Sequence, residues 1–232
     1  MTRGFLVGAE EIIRSEGSDG LRAEPARGRR MLFYFLACAC TYGALMGTFG
    51  VVHGDRLWMV LFSAMKVPIL LVVTGAVCLP SFFVLNTIFG VRDDFPAVVR
   101  ALLTTQAGFA IILLSLSPYT LFWYASSADY DAATLFNALV FAIASLGAQG
   151  LLRRHYRPLI ARQPRHRMLL RIWLLLFAFV GIQTAWMLRP FVGSPDLPAQ
   201  FFREEAWGNA YVAIAEKVRG VVRGGGTGES ER

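Results

Sequence analysis

The sequence predicts an all-α integral membrane protein: a bundle of five transmembrane helices with an amphipathic helix after the last one. Of its 232 residues, 55% are hydrophobic and 17% are charged, whereas a soluble domain carries about 25% charged residues. A helix needs about 20 apolar residues to cross the hydrocarbon core of a bilayer. Five stretches meet that requirement, at residues 31–52, 67–89, 101–125, 132–152 and 169–188.

The distribution of charge predicts the orientation of the chain. Seven arginines lie between Arg153 and Arg171, and no Asp or Glu occurs between Asp131 and Asp196. Cytoplasmic loops of membrane proteins collect Lys and Arg. With the N-terminus in the cytoplasm, fifteen arginines before the C-terminal tail fall on the inner side and only Arg56 falls outside. We therefore expect a cytoplasmic N-terminus and an extracytoplasmic C-terminus.

The tryptophans support this orientation. Trp58, Trp123 and Trp186 all fall at predicted outer ends of spans, where aromatic residues form a belt at the membrane interface. Arginine outnumbers lysine by 21 to 2, which is typical of a GC-rich, bacterial coding background. The bacterial inner membrane is therefore the expected location.

The chain divides into four predicted parts. These are a cytoplasmic segment, the transmembrane domain, an extracytoplasmic connector with its helix, and a disordered tail, at residues 1–30, 31–190, 191–223 and 224–232. In the first part, Phe5 to Ile13 have the pattern of a weak amphipathic helix. In the third part, apolar residues recur every three or four positions over 199–222, which predicts an amphipathic helix on the outer face.

The start of the second span is ambiguous, because residues 57–66 are also apolar. Lys66 and Pro68 interrupt the long apolar run there. Proline is well tolerated in the first turn of a helix, so we place the start of the span near Val67. Residues 57–64 are then an outer interfacial turn or helix, with the Lys66 ammonium group reaching the lipid headgroups.

Small residues form a ridge on the first span. Gly43 and Gly47 are four residues apart, and such a pair lets two helix backbones approach closely in lipid. The ridge predicts either contact with another helix of the same chain or an interface with a protein partner or a second copy. The helix at 199–222 is the other candidate for such an interface.

Polar residues inside the spans are few. Asn86, Gln106 and Gln149 fall toward the cytoplasmic ends of their spans, where they either form a polar pocket or make hydrogen bonds between helices. Pro80 lies near the middle of the second span and Pro118 in the outer part of the third. Helices broken near mid-membrane are a feature of transporters, so a small transporter or channel component is the alternative function.

Several chemistries lack candidate residues. No Asp, Glu or His lies inside a predicted span, so a proton relay has no carboxylate. Cys38, Cys40 and Cys78 fall inside apolar spans, where free Cys acts as a small hydrophobic residue. The sequence also lacks clustered metal ligands, a phosphate-binding loop and a nucleophile elbow. We expect no metal, no cofactor and no enzymatic activity.

The short inner loop between spans two and three carries Asp93 and Asp94. These acids either pair with Arg153, Arg154 or Arg157, since both loops are predicted at the same membrane surface, or remain solvated.

A family resemblance completes the prediction. Residues 95–102 read Phe-x-x-x-x-Arg-Ala-Leu, and Leu79-Pro80-Ser81 is followed by Asn86. With five spans and a cytoplasmic N-terminal region, the chain resembles the Yip-like membrane proteins and a group of uncharacterised bacterial five-span proteins. For eukaryotic Yip-like members the resemblance implies a non-enzymatic role in membrane organisation or trafficking.

The predicted function is therefore that of a non-enzymatic scaffold or an accessory subunit of a membrane complex. The predicted partner is the headgroup of an anionic lipid, or an acidic protein, and nucleic acid is not expected. The residues predicted to bind it are Arg153, Arg154, Arg157, Arg162, Arg165 and Arg167.

Overall fold

The computed structural model describes residues 2–14, 25–52, 57–192 and Phe201, and this part of the chain is helical. Its helices are α1 Thr2–Arg14, α2 Pro25–Gly47, α3 Phe49–Val52, α4 Leu57–Ile88, α5 Phe95–Ser126, α6 Tyr130–Arg162 and α7 His166–Leu188, with a 3-10 turn at Arg92–Asp94. Five spans within it, the first formed by α2 together with α3, are long and apolar enough to cross a membrane. The described residues confirm the all-α class and the presence of five helices long and apolar enough to span a membrane. The helix predicted at 199–222 and the tail at 224–232 lie outside the described residues.

The long helices alternate in direction. Gly47 of α2 faces Val60 of α4, and Phe82 of α4 packs on Trp173 of α7 with ring centroids 4.9 Å apart. Helix α2 packs along both α4 and α5, while α6 packs on α5 and α7 on α4. We call the end where α2, α5 and α7 begin the arginine end, and the other the opposite end.

Local sequence explains several helix boundaries. The carboxylate of Asp129 accepts hydrogen bonds from the backbone N–H groups of Asp131 (2.9 Å) and Ala132 (3.1 Å), which caps the start of α6. After α4 ends, Gly90 adopts a positive φ of 69°, a conformation that glycine takes without steric cost. Pro96 lies in the first turn of α5, where its missing N–H is not needed.

The predicted break at Lys66 and Pro68 is wrong. Helix α4 runs without interruption over 32 residues, about 48 Å at 1.5 Å per residue. Pro68 therefore lies inside the helix and not in its first turn. Neighbouring helices make such a proline tolerable in a membrane bundle, and here the segment around Ser63 is packed against α2 and the chain after α7.

The arginine-rich loop is mostly helical. Predicted spans end at residue 152 and resume at residue 169, but α6 continues to Arg162 and α7 begins at His166. Only three residues separate the two helices. Most arginines of this region therefore project from helix ends and not from a flexible loop.

The weak amphipathic helix predicted near the N-terminus is present as α1. Its Phe5 ring packs on Tyr34 of α2 with centroids 4.8 Å apart, and Ile12 is buried in the main core. Glu11 pairs with Arg30 of α2 at 3.0 Å. These contacts hold α1 against the arginine end of the bundle.

Candidate functional site

A groove of about 520 Å³ opens between α2, α4 and α5, and Trp173 of α7 also lines it. Its wall is apolar apart from three side chains: Arg100, Thr104 and Gln106. The other lining residues are Gly28, Met31, Leu32, Phe35, Leu71, Val72, Gly75, Ala76, Leu79, Val99, Leu102, Leu103 and Trp173. We call this cavity the groove.

Helical spacing places the lining residues side by side. Those of α2 are separated by three and four positions from Gly28 to Phe35, and those of α4 follow the same rule from Leu71 to Leu79, so each set lies on one face of its helix. Gly75 leaves room in the groove for the Gln106 side chain, because a Cβ at this position would lie 3.3 Å from Nε2 of Gln106.

Two polar side chains of the groove have buried atoms without a partner among the described residues. They are Nε of Arg100 and Oε1 of Gln106. The Gln106 amide nitrogen is 3.5 Å from the Leu71 carbonyl, at the outer limit of a hydrogen bond. Buried polar atoms are nearly always satisfied in folded proteins, so these two are unusual features of the groove wall.

The structure brings together two of the three predicted amide residues. Gln106 and Gln149 both line a second cavity of about 40 Å³ beside the groove. Asn86 lines neither cavity; its amide nitrogen donates to the Phe82 carbonyl of its own helix at 2.8 Å. A continuous polar path through all three is therefore not formed.

All seven arginines from Arg153 to Arg171 have exposed side chains. Within the described part of the chain, none of them forms an ion pair. Arg165 donates to the Phe89 carbonyl at 3.1 Å. The arrangement leaves a strongly positive surface without internal compensation.

The pairing predicted between the acidic loop and Arg153, Arg154 or Arg157 is wrong. Asp94 Oδ2 lies instead 3.0 Å from Nε2 of His166, a fully buried histidine at the start of α7. Helix α7 begins at His166, three residues before the predicted start, and this histidine contacts the acidic loop in place of the arginines. Asp93 is exposed.

Lys66 is the polar residue of α4 that sequence reasoning misplaced. Its side chain is fully buried, its ammonium group donates to the Pro190 carbonyl at 2.6 Å, and it lies 5.0 Å from the centroid of Phe201. The prediction that it reaches the headgroups is therefore wrong. Ser63, one turn earlier, donates to the Phe191 carbonyl, so the chain after α7 is held across α4.

A second set of buried polar contacts links α2, α5 and α6 near the opposite end. Asn137 donates to the Tyr124 hydroxyl at 2.6 Å, and Tyr124 in turn donates to the Met46 carbonyl at 3.2 Å. Tyr42 lies 3.5 Å from the Asn137 amide oxygen. Sequence analysis missed Asn137, although an amide inside an apolar span is itself a signal of interhelical hydrogen bonding.

The glycine ridge lies inside the bundle of the same chain. A Cβ at Gly47 would lie 2.6 Å from Cα of Val60, and Gly43 is equally close to the backbone of Ser63 and Ala64. Of the two expected uses of the ridge, the contact within the chain is the one that this structure contains.

Cysteines and acidic residues do not assemble into a site. Cys38 and Cys78 are buried in the two cores, and Cys40 is partly buried. Among the residues that the structure describes, no three His, Cys, Asp or Glu side chains lie close enough to hold a metal ion.

No family model, curated protein or solved structure matches this chain. The resemblance to Yip-like proteins therefore stays a prediction, and function is argued from the residues themselves.

Proposed function

We propose that this protein is a non-enzymatic, multi-span protein of the bacterial inner membrane that binds anionic lipid headgroups at its arginine end. It would act there as a scaffold or an accessory subunit of a membrane complex. The observation that carries the proposal is the exposure of all seven arginines from Arg153 to Arg171, without an ion pair in the described part of the chain.

The position of these arginines favours lipid as the partner. They flank the junction of α6 and α7, at the level where a spanning helix leaves the hydrocarbon core and meets the headgroups. Each basic residue near an anionic membrane surface contributes about 1 kcal/mol of attraction. Because most of these arginines project from helix ends, the spacing of their backbones is fixed and less backbone entropy is lost when they bind.

The proposed orientation in the membrane follows the positive-inside rule. It places the N-terminus and the arginine end in the cytoplasm. Replacing Arg153, Arg154 and Arg157 together by Glu should disturb insertion or topology. A reporter fused to the C-terminus would then lose its extracytoplasmic signal. Unchanged reporter levels on the outer side would contradict the proposed orientation.

Lipid binding is tested by purifying the protein from bacterial membranes and measuring the lipids that remain bound. Replacing Arg153, Arg154 and Arg157 by Gln should lower the ratio of bound phosphatidylglycerol to phosphatidylethanolamine on the order of a hundredfold, since roughly 1 kcal/mol is lost per residue and about 1.4 kcal/mol corresponds to a tenfold change. The matched control is Arg14→Gln, because Arg14 is paired with Glu10 at 3.0 Å. An equal ratio in both variants would refute the lipid proposal, and loss of a co-purifying acidic protein instead would indicate the protein partner.

A small transporter or channel component is the second candidate. Gln106, which lines both cavities, is the observation that favours it. The groove is otherwise mostly apolar, and apolar cavities stay dry, which is why this function ranks second. A water-soluble thiol reagent that modifies Gln106→Cys from either side of the membrane would reverse the ranking.

A further inference from the structure

We propose that the groove binds one acyl chain of an anionic phospholipid from the cytoplasmic leaflet, with its phosphate at Arg100. This inference rests on the membrane orientation proposed above. It concerns a different site from the exposed arginines of α6 and α7, and it predicts one specific lipid in place of a general attraction.

The lining of the groove fits a hydrocarbon chain. Its volume of about 520 Å³ lies within the range of about 300–1,000 Å³ found for small-molecule sites. The floor is formed by buried apolar residues that include Phe35, Leu102 and Trp173. Water gains few hydrogen bonds in such a place, whereas a hydrocarbon chain fills it without losing any.

A chain can enter the groove directly from the bilayer. Leu32, Val72 and Leu103 line the groove and are 57%, 54% and 57% exposed, so the rim between α2, α4 and α5 faces outward. Apolar residues exposed on a spanning helix face lipid. The acyl chains that surround the helix are therefore the same kind of molecule as the proposed occupant. No other part of the bundle has to move for a chain to enter.

The length of the groove matches one leaflet. On α4 it extends from Leu71 to Leu79, about 12 Å at 1.5 Å per residue, and the hydrocarbon thickness of one leaflet is about 15 Å. Arg100 lies one turn from the start of α5, toward the arginine end. A lipid whose phosphate lies at Arg100 therefore directs its chain along the groove toward Leu71 and Gln106.

Charge selects the headgroup. Arg100 lines the groove with a partly exposed side chain and forms no ion pair within the described part of the chain. Guanidinium groups bind phosphate through strong, charge-assisted hydrogen bonds, so a lipid phosphate fits as its partner. Arg29, exposed next to Gly28 at the mouth of the groove, adds to the preference for a negative headgroup.

A partner helix is too large for this site. A helix 10 Å wide and 12 Å long occupies roughly 900 Å³, well above the groove's volume of about 520 Å³. A single chain is the occupant that fits both the width and the exposed rim.

The test is native mass spectrometry of the delipidated protein in detergent, titrated with phosphatidylglycerol or with phosphatidylcholine of the same chains. The wild type should bind a first phosphatidylglycerol more tightly than any later one. Arg100→Gln should weaken that first binding at least about fivefold and weaken phosphatidylcholine less, because its choline group already offsets the phosphate charge. Ala76→Trp, which fills the groove, should weaken the first binding of both lipids.

The matched control for the groove is Ala142→Trp, an exposed alanine of α6 outside the groove, which should bind the first lipid like the wild type. The inference is overturned if Arg100→Gln retains wild-type preference, or if Ala76→Trp binds like Ala142→Trp. If Ala76→Trp fails to fold, Arg100→Gln alone decides.

The variant with Arg153, Arg154 and Arg157 replaced by Gln separates the two proposals. It should keep the first phosphatidylglycerol and lose the weaker, later ones. Loss of the first lipid in this variant, with no loss in Arg100→Gln, would refute the groove and support the arginine surface. Loss of the first lipid in Arg100→Gln, with the later ones unchanged in the triple variant, would support the groove and refute the arginine surface.

Discussion

The two ends of the helix bundle differ in the environment of their polar side chains. At the opposite end, Lys66, Ser63 and Asn137 are buried, and each donates a hydrogen bond within the protein. At the arginine end, seven arginines are exposed and carry no ion pair in the described part of the chain. The three polar groups named at the first end hold the chain together, whereas the seven arginines of the second end are exposed and can bind a partner.

This comparison predicts that substitutions at the two ends have different consequences. At the opposite end, removing a polar or close-packed group should lower the stability of the bundle. At the arginine end, removing charge should change lipid binding and leave stability nearly intact. Three substitutions at the opposite end and one at the arginine end, each with a matched control, test the statement about stability.

The largest effect is expected where two backbones touch. Gly47→Ala places a Cβ 2.6 Å from Cα of Val60, so α2 and α4 must separate, at a cost of about 3 kcal/mol for overpacking. Gly150→Ala is the control, because a Cβ there meets nothing within 4 Å. Unfolding by SDS in mixed micelles measures both. Equal stability of the two variants would show that the helices tolerate a wider spacing.

Lys66→Ala should cost about 2 kcal/mol. It leaves a cavity and a Pro190 carbonyl without its donor, and these losses are partly offset because a buried charge is also removed. The neighbouring Met65 is 49% exposed, so Met65→Ala should stay within about 0.5 kcal/mol of the wild type. Thermal unfolding in detergent compares the two, and a Lys66→Ala protein as stable as Met65→Ala would remove Lys66 from the stabilising contacts.

Tyr124→Phe should cost about 1 kcal/mol, in the range measured for hydrogen bonds between membrane helices. The change removes the hydroxyl that joins Asn137 to the Met46 carbonyl and leaves the ring packed on Phe49. Tyr119, which is 65% exposed, provides the control Tyr119→Phe. The same SDS titration applies, and a larger loss in the control would argue against the network.

The smallest effect is expected at the arginine end. Asp94→Asn weakens the contact with His166 but keeps an oxygen acceptor, so we expect a loss of about 0.5 kcal/mol, as for other partly exposed pairs. Asp93→Asn, at an exposed position, should have no effect. A loss at Asp94 as large as that of Lys66→Ala would erase the distinction between the two ends.

The helices were predictable from sequence because their signal is local. An apolar run of sufficient length defines a span whatever lies around it, and all five spans were found. The helix ends were predicted less accurately. Lys66 and Pro68 were interpreted as a break, and the predicted span therefore starts ten residues after the first residue of α4. The buried Lys66 donates to a carbonyl 124 residues further along the chain, which no local pattern reveals.

The groove could not be predicted for a similar reason. Arg100, Gln106 and Trp173 belong to two helices, and α2 and α4 supply most of the remaining wall. Each lining residue is ordinary in its own span. The site exists only because α2 packs along both α4 and α5, a tertiary arrangement. The exposed arginines, by contrast, were predicted individually, because seven cations in nineteen residues are a local feature.

The contact between Lys66 and Pro190 also has a consequence for biogenesis. The two residues are 124 positions apart, so a ribosome releases α4 long before the carbonyl that receives its ammonium group has been made. Until the segment after α7 has been made, the Lys66 ammonium group lacks this acceptor, so the contact closes only after the last span has been synthesised.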